Sequence, residues 1–510
     1  MNLKLLLSLC GLLSSTVLLQ AQKPCATPEG RSLWLKEYQK NPITYRGGGD
    51  TLIWVPITMH IVGNDNGGGY YPDQGVYDEL CQLNDDLAPS NIQVYLNEDF
   101  RYIKDEAFNT HSSLREGAAI MENYNIGNTL NCYIVENAGG ACGYGLTFMG
   151  SLVLAKGCIG DGGRVFAHEV GHVLSLPHTF LGWEGGVLHD NTVEPDYNTP
   201  APEYVYFNNA FFIEGLGLDT VVIDSVMVQK VDGSNCAEAN DGFCDTPPDY
   251  LNFRWFCNND GESQFPQLDP DSVEFRSDGS YIMSYSIGDC QTRFSEEQSQ
   301  AMRANMLGPK ADWLKKNDPL PPVTETANLL YPVNGEEVQA DAVELSWNAV
   351  PNATHYEVSA YLQIGMAANI WDKVIVDDTT ALLSLPPNRN YVWEIVALSN
   401  TTFCLTTSER GAFTTSQLVG VQEIPELGRY EVFPTLVQQN TINILVNGQR
   451  TLPLTIAMMD LTGRRVHQQQ LKQVPGEQRL QITPPALPAG MYLLTIEAAG
   501  QQIVERLLIQ

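Results

Sequence analysis

The hydrophobic rhythm of the chain changes twice. In the first part, residues 52–62 (LIWVPITMHIV) form a strongly apolar run that reads as a strand. Residues 72–87 read as a helix, and residues 91–96 and 131–135 as further strands. A helix is expected over 164–176 and another over 295–306 (SEEQSQAMRANM), the latter with Ser295 as N-cap and acids in its first turn. Residues 23–50 have little regular apolar pattern and end in Gly47, Gly48 and Gly49, as a pro-segment or an extended arm would.

A proline-rich stretch, Asp318-Pro319-Leu320-Pro321-Pro322, then acts as a stiff linker. Beyond it the period becomes two. Val343, Leu345 and Trp347 alternate with polar neighbours, as do Tyr356, Val358, Ala360 and Leu362, and again Tyr391, Trp393, Ile395 and Ala397. Half-buried strands separated by turns indicate a β-sandwich. Residues 429–510 are again rich in strand pattern. The expected fold is therefore an α+β first domain (51–316), a linker (317–327) and two all-β sandwich-like domains (328–416 and 429–510). A chain of 510 residues exceeds what one core supports, in keeping with several domains.

Charge and cysteine content narrow the function classes. The formal net charge of −31 repels nucleic acid and anionic lipid, which are discounted as partners. Residues 5–19 form an apolar run behind Lys4, too short to span a bilayer, and residues 1–22 read as a signal peptide. No later stretch suggests a transmembrane span. Cys10 would leave with that segment. Eight of the remaining cysteines lie between Cys81 and Cys290, a density that implies disulfides in an exported protein.

The chemistry concentrates at His168-Glu169-Val170-Gly171-His172, followed by His178. Residues four apart share a helix face, so His168 and His172 can address one ion. Zinc suits neutral imidazole nitrogens and leaves a position for water. Glu169 stands beside the first ligand and can take a proton from that water. A continuing helix would carry His178 roughly 9 Å further along and about 120° off the ligand face. The helix must therefore end and the chain must turn back, helped by Pro177. The usual pattern of such motifs has glycine at position 175, where a left-handed backbone makes the turn; this chain has Ser175, at a cost of about 1 kcal/mol. His60, His111, His189, His355 and His467 lack such a setting and are read as structural or surface residues.

Histidines at this spacing, followed by Tyr281-Ile282-Met283-Ser284-Tyr285, resemble the metzincin metallopeptidases, and among them the pappalysin family. The likeness includes Gly163-Arg164, His178-Thr179-Phe180, Asp245-Thr246-Pro247, Cys290 and Phe294-Ser295, and spans roughly residues 50–310. It implies a metzincin-like catalytic domain with His168, His172 and His178 as zinc ligands and Glu169 as general base. Met283 would form the apolar floor below the metal, and Tyr285 a phenol near the oxyanion. It also implies a Cys257–Cys290 disulfide and a substrate-binding edge strand over residues 143–154, for which an ordinary sheet strand is the alternative. Cys25 resembles the cysteine of some pappalysin pro-segments. It is either a latency ligand on the zinc of a zymogen or one half of a disulfide. Asp241, Asp245 and Asp249 are candidates for calcium, against the alternative of a solvated acidic loop. Residues 181–244 look like an insertion that serves as a lid, an exosite or decoration.

The sandwich at 328–416 resembles a fibronectin type III-like module. Val432-Phe433-Pro434, Asp460-Leu461-Thr462-Gly463-Arg464 and Leu487-Pro488-Ala489-Gly490-Met491-Tyr492 resemble the C-terminal sorting domain of type IX secretion cargo, although the chain ends without the terminal lysines common there. The implied protein is a zinc-dependent endopeptidase acting on protein or peptide substrates. It would be secreted from, or held at the surface of, a Gram-negative bacterium by way of the type IX machinery. The competing reading is a non-catalytic surface adhesin with a vestigial peptidase fold. Retention of Glu169 speaks against it.

Overall fold

A computed structural model describes residues 25–27, 30–42, 51–160, 162–181, 196–213, 217–287, 290–316, 318–364, 367–404, 407–416, 427, 429–433, 436–437, 441–448, 450–460, 464–485, 487–488 and 490–509. The expected signal peptide, His189, Asn317, Pro434, residues 461–463 and Ala489 lie outside this set, as do parts of the 23–50 and 181–244 segments. The molecule is mixed, mostly β with few helices. It divides into two compact units. One comprises residues 1–326 with 350–357 and 396–406, and the other comprises 327–349, 358–395 and 407–510.

The first unit is organised by a six-stranded sheet. Its strands are β1 (Ile53–Gly63), β2 (Ile92–Leu96), β3 (Arg101–Lys104), β4 (Leu130–Val135), β5 (Gly143–Leu146) and β6 (Ser151–Ala155). The order is β2-β1-β4-β6-β5, with β3 also on β1. All pairings are parallel except β5 with β6. The continuous apolar run of β1 follows from its central place, since nearly every one of its residues is buried. Pro56 is tolerated because pairing with β4 begins only at Ile57.

The expected single strand over 143–154 is instead two. A turn at residues 147–150, with Gly150 at φ 66°, folds β6 back against β5. Only residues 143–146 are the sheet edge. Six helices accompany the sheet among the described residues: α1 (Leu33–Lys40), α2 (Asp73–Leu87), α3 (Glu106–Asn109), α4 (Leu114–Met121), α5 (Val165–Val173) and α6 (Glu296–Leu307). Ser295 caps α6 in a full capping box with Gln298. Between α5 and α6 lie a long hairpin, Tyr204–Ile213 with Gly217–Met227, and four two-residue strands. None of the described helices is long and apolar enough to cross a membrane.

The second unit is all β. Strands Leu329–Tyr331, Val343–Trp347 and Thr380–Leu383 form one sheet. Asn334–Gln339, Gly411–Ser416, Asn390–Leu398, His355–Ile364 and Ala367–Val376 form another, in that order. Trp347 and Trp393 meet in the core at 6.2 Å, and the Trp393 indole N–H donates to the Pro332 carbonyl at 2.7 Å. Residues 429–509 form a three-stranded and a five-stranded sheet. Alternate residues such as Ile442, Ile444 and Val446, and Leu454, Ile456 and Met458, meet in one apolar core there.

Candidate metal centre and cleft

Helix α5 carries the main motif and is buried from Phe166 to Val173. Its seat against the sheet edge depends on glycines. A Cβ on Gly143 would stand 2.9 Å from the Glu169 side chain, and one on Gly145 would stand 2.6 Å from the Glu169 carbonyl. The Gly143-Tyr144-Gly145 sequence therefore lets β5 lie directly on the helix. On the other side, a Cβ on Gly171 would sit 2.5 Å from the Met283 sulfur, so the methionine packs against bare helix backbone. Arg164, at the helix start, pairs with Asp86 of α2 at 2.8 Å.

The helix stops as the histidine spacing requires. Ser175 adopts φ 77°, the Leu176 amide donates to the Gly171 carbonyl at 2.9 Å, and the Ser175 amide donates to the His172 carbonyl at 2.9 Å. The strained serine is held by a partner, because Asn305 of α6 donates its side-chain amide to Ser175 Oγ at 3.1 Å. Pro177 follows and His178 comes back towards the helix.

The three Nε2 atoms converge. His172 lies 3.1 Å from His168 and 3.1 Å from His178, and His168 and His178 are 3.2 Å apart. Nitrogens bound to one tetrahedral zinc stand roughly 3.3 Å apart, given bonds of 2.0–2.1 Å. His168 Nδ1 lies 2.7 Å from the Ile282 carbonyl, and His172 Nδ1 2.8 Å from the Leu176 carbonyl. Each Nδ1 must be the protonated nitrogen to use these acceptors, leaving the Nε2 lone pairs aimed at one another. Burial, then the neighbouring rings, push the His168 pKa down to about 3 and that of His172 well below its usual value. Three buried imidazoles whose Nε2 atoms converge fit a zinc ion.

Met283 packs against Gly171 of α5, and Tyr285 packs beside the histidine rings. Met283 is fully buried below the helix, and its carbonyl accepts from the Thr179 amide at 3.2 Å. The Tyr285 ring is 4.9 Å from the His178 ring and 5.9 Å from that of His168. A cleft beside the triad is lined by His168, Glu169, Arg254, Ser284, Tyr285 and Gln291, among others.

Cys25 is a free, buried thiol whose sulfur belongs to one potential metal-ligand group with His168, His172 and His178, all four ligand atoms lying within 4.8 Å of one another. Residues 25–27 run along β5: the Ala26 amide donates to the Gly143 carbonyl at 3.0 Å, and the Gly145 amide donates to Thr27 Oγ1 at 2.8 Å. Thr27 Oγ1 in turn donates to Glu169 Oε2 at 3.2 Å, and Cys25 Sγ lies 3.5 Å from the same oxygen. Glu169 Oε1 has no hydrogen-bond partner among the described residues. Burial pushes the Glu169 carboxyl up to about 8, against the pull of the bonds from Cys25 and Thr27. Thr27 was not singled out from the sequence. Its position two residues after Cys25, on the same side of an extended segment, was the available signal.

The three aspartates proposed for calcium do not converge. Asp241 accepts from Thr246 Oγ1 and the Phe243 amide, and Asp245 accepts from Ser295 Oγ and the Glu297 amide at the start of α6. Asp249 accepts from Thr179 Oγ1 (2.9 Å), Ser277 Oγ (2.6 Å) and Ser284 Oγ (2.8 Å). Protein donors take up the oxygens that a cation would need. Asp249 instead ties the residue after His178 to the residue between Met283 and Tyr285. The disulfides are Cys81–Cys404, Cys142–Cys158, Cys236–Cys244 and Cys257–Cys290. His60 and His111 are buried away from the triad, His60 on Asn131 and His111 between the Phe108 carbonyl and the Tyr144 hydroxyl.

Comparison with known proteins adds two independent findings. Residues 432–510 match the family model of a secretion system C-terminal sorting domain. The chain is 30% identical over 156 residues to an extracellular metalloprotease of Colletotrichum graminicola, covering 26% of this chain and 53% of that protein. It is also 30% identical over 156 residues to extracellular metalloprotease 1 of Coccidioides posadasii, covering 26% and 54%. The chain thus spans about half the length of these curated relatives. Similar solved structures include an Fn3-like protein from Clostridium thermocellum (19% identity, 18% of this chain and 92% of that one, TM-score 0.14) and a two-domain fibronectin type III segment of chicken tenascin (13%, 36% and 97%, TM-score 0.14). At such TM-scores these likenesses decide nothing about function.

Proposed function

We propose that the protein is an exported zinc endopeptidase of metzincin type, synthesised in a latent form. The observation that carries this reading is the convergence of three buried Nε2 atoms beside a buried carboxyl group that has one unpartnered oxygen among the described residues. His168, His172 and His178 would hold the metal, which when bound polarises the scissile carbonyl and makes a water acidic enough to deprotonate. Glu169 then accepts that water's proton and returns it to the departing nitrogen. The edge strand β5 would offer main-chain groups for pairing with an extended peptide, a reading supported by the bonds of Gly143 and Gly145 to the Ala26 amide and the Thr27 hydroxyl. Tyr285 stands beside the histidines as a donor for the developing oxyanion. The fungal relatives support peptidase chemistry, and the sorting-domain match supports export through a type IX system.

Latency follows from the same contacts. Cys25 puts a soft sulfur where the fourth ligand would be, and Thr27 occupies Glu169. Residues 23–50 would therefore have to leave before the base and the strand edge become free. Glu169→Ala separates base from ligand. The processed variant should lose hydrolysis of a casein or peptide substrate by at least a thousandfold while binding one zinc per chain. Substantial remaining activity would remove Glu169 from its role, and lost zinc would make it structural.

A further inference from the structure

The pro-segment touches the catalytic unit at a second place. Past residues 25–27, Arg31 reaches the loop at 236–242, which the Cys236–Cys244 disulfide closes. Its Nη2 donates to the Glu238 carbonyl at 3.0 Å and its Nη1 to the Ala237 carbonyl at 3.4 Å. Nη1 also donates to Gln39 Oε1 at 3.1 Å, while Gln39 Nε2 donates to the Asp241 carbonyl at 2.8 Å. The fit is close. Gly242 has φ 78°, and a Cβ there would stand 2.1 Å from Arg31 Nη1.

Backbone carbonyls aimed outward from a turn suit a group with N–H donors in a planar fork and no acceptor, which is a guanidinium. The loop is fixed to the catalytic framework. Buried Asn240 accepts from the Gln229 amide at 3.0 Å and donates to the carbonyl of Thr179, the residue after His178, at 3.4 Å. Arg31 is four residues beyond Thr27, a reach of at most about 14 Å. The socket is therefore within peptide range of the stretch of β5 that a bound chain would pair with.

We propose that the 236–242 loop is a guanidinium-binding subsite of the substrate cleft, filled by Arg31 in the latent protein and by a substrate arginine after processing. This rests on the peptidase and pro-segment readings above and adds a preference to them: extended peptides with arginine about four to six residues from the segment lying on Gly143–Gly145. The anionic chain, at −31, is suited to collecting basic peptides.

The test uses the full-length protein after removal of residues 23–50, and a fluorogenic peptide that it cuts. Arginine, or its uncharged isostere citrulline, is placed at each position from three to seven on either side of the cut. The subsite predicts that arginine at one or two adjacent positions, on one side only, lowers KM about tenfold relative to citrulline with kcat little changed. A peptide of residues 23–42 added in trans should suppress that gain, and its Arg31→citrulline form should do so about tenfold less well. Equal KM for arginine and citrulline at every position would overturn the subsite while leaving the peptidase reading intact. If no peptide is cut, that reading fails. The subsite is then judged by anisotropy of the same labelled peptides on the processed protein, where equal affinities for arginine and citrulline refute it.

Discussion

Ser175 holds a left-handed conformation where glycine would be free of strain, so Ser175→Gly looks at first like a stabilising change. Relief of the strain is worth about 1 kcal/mol. Two effects oppose it. Glycine widens the unfolded ensemble, which costs roughly 0.4–1 kcal/mol. The substitution also removes the oxygen that accepts from Asn305 at 3.1 Å. Asn305 is 1% exposed and its Oδ1 already has no partner among the described residues, so its amide would be left dry and unpaired. That costs about 1–3 kcal/mol. The sum favours serine by about 1 kcal/mol or more. Because this turn returns His178 to the helix, the loss should appear in metal retention. Zinc competition against a graded chelator is expected to show roughly 5–10-fold weaker binding, since 1.4 kcal/mol corresponds to a factor of ten. Ser175→Ala keeps the strain and loses the bond, so it should be weaker still. Zinc binding by Ser175→Gly as tight as in the parent, with no lower melting temperature, would refute the claim that the Asn305 bond outweighs the strain.

Asp249→Ala removes the acceptor of three buried hydroxyls, of which Ser277 keeps Gln267 as an alternative, and should cost about 2 kcal/mol or more in denaturant unfolding, at about 1 kcal/mol per bond, with Asp249→Asn intermediate. Equal stability of all three proteins would show that the cluster does not depend on its acceptor. In the unprocessed chain, Cys25→Ala should raise peptidase activity at least tenfold over the latent parent; equal inactivity would leave the thiol without a role as a blocking ligand. Burial lowers the Lys310 pKa to about 8, whereas an unfolded lysine titrates near 10.4, so the folded chain binds fewer protons between those values. Stability should therefore be least favoured by this group below pH 8 and rise as pH climbs from about 8 to 10. Lys310→Met should flatten that rise in thermal melts, and an unchanged slope would assign it to another group.

What could be read from the sequence was local. His168 and His172 are one helical turn apart, and the need to turn back for His178 follows from helix geometry alone. The Ser295 N-cap of α6 and the apolar run of β1 are likewise contained in a few consecutive residues. The contact of Thr27 with Glu169 spans 142 residues and that of Asn305 with Ser175 spans 130, and no periodicity encodes either. The split at residues 147–150 was hidden because both flanking strands are buried and mostly apolar, and Phe148 and Met149 within the turn continue the apolar run. The acidic residues misled for a related reason. Their side chains, buried in Asp241 and Asp249 and half-buried in Asp245, sit on hydroxyl and amide donors that only the folded chain brings near, so they resembled ion ligands on paper.

The Cys81–Cys404 bond gives the polypeptide a covalent shape that its linear order does not suggest. Residues 81–404 form a closed ring, and the proline-rich linker is one arc of it. A protease that nicks this arc releases nothing, because the severed ends remain joined through sulfur. The product keeps the mass of the parent, apart from one added water, and separates into two fragments only under a reductant. In an oxidising exterior, such a chain tolerates a cut at the exposed linker without shedding either fragment.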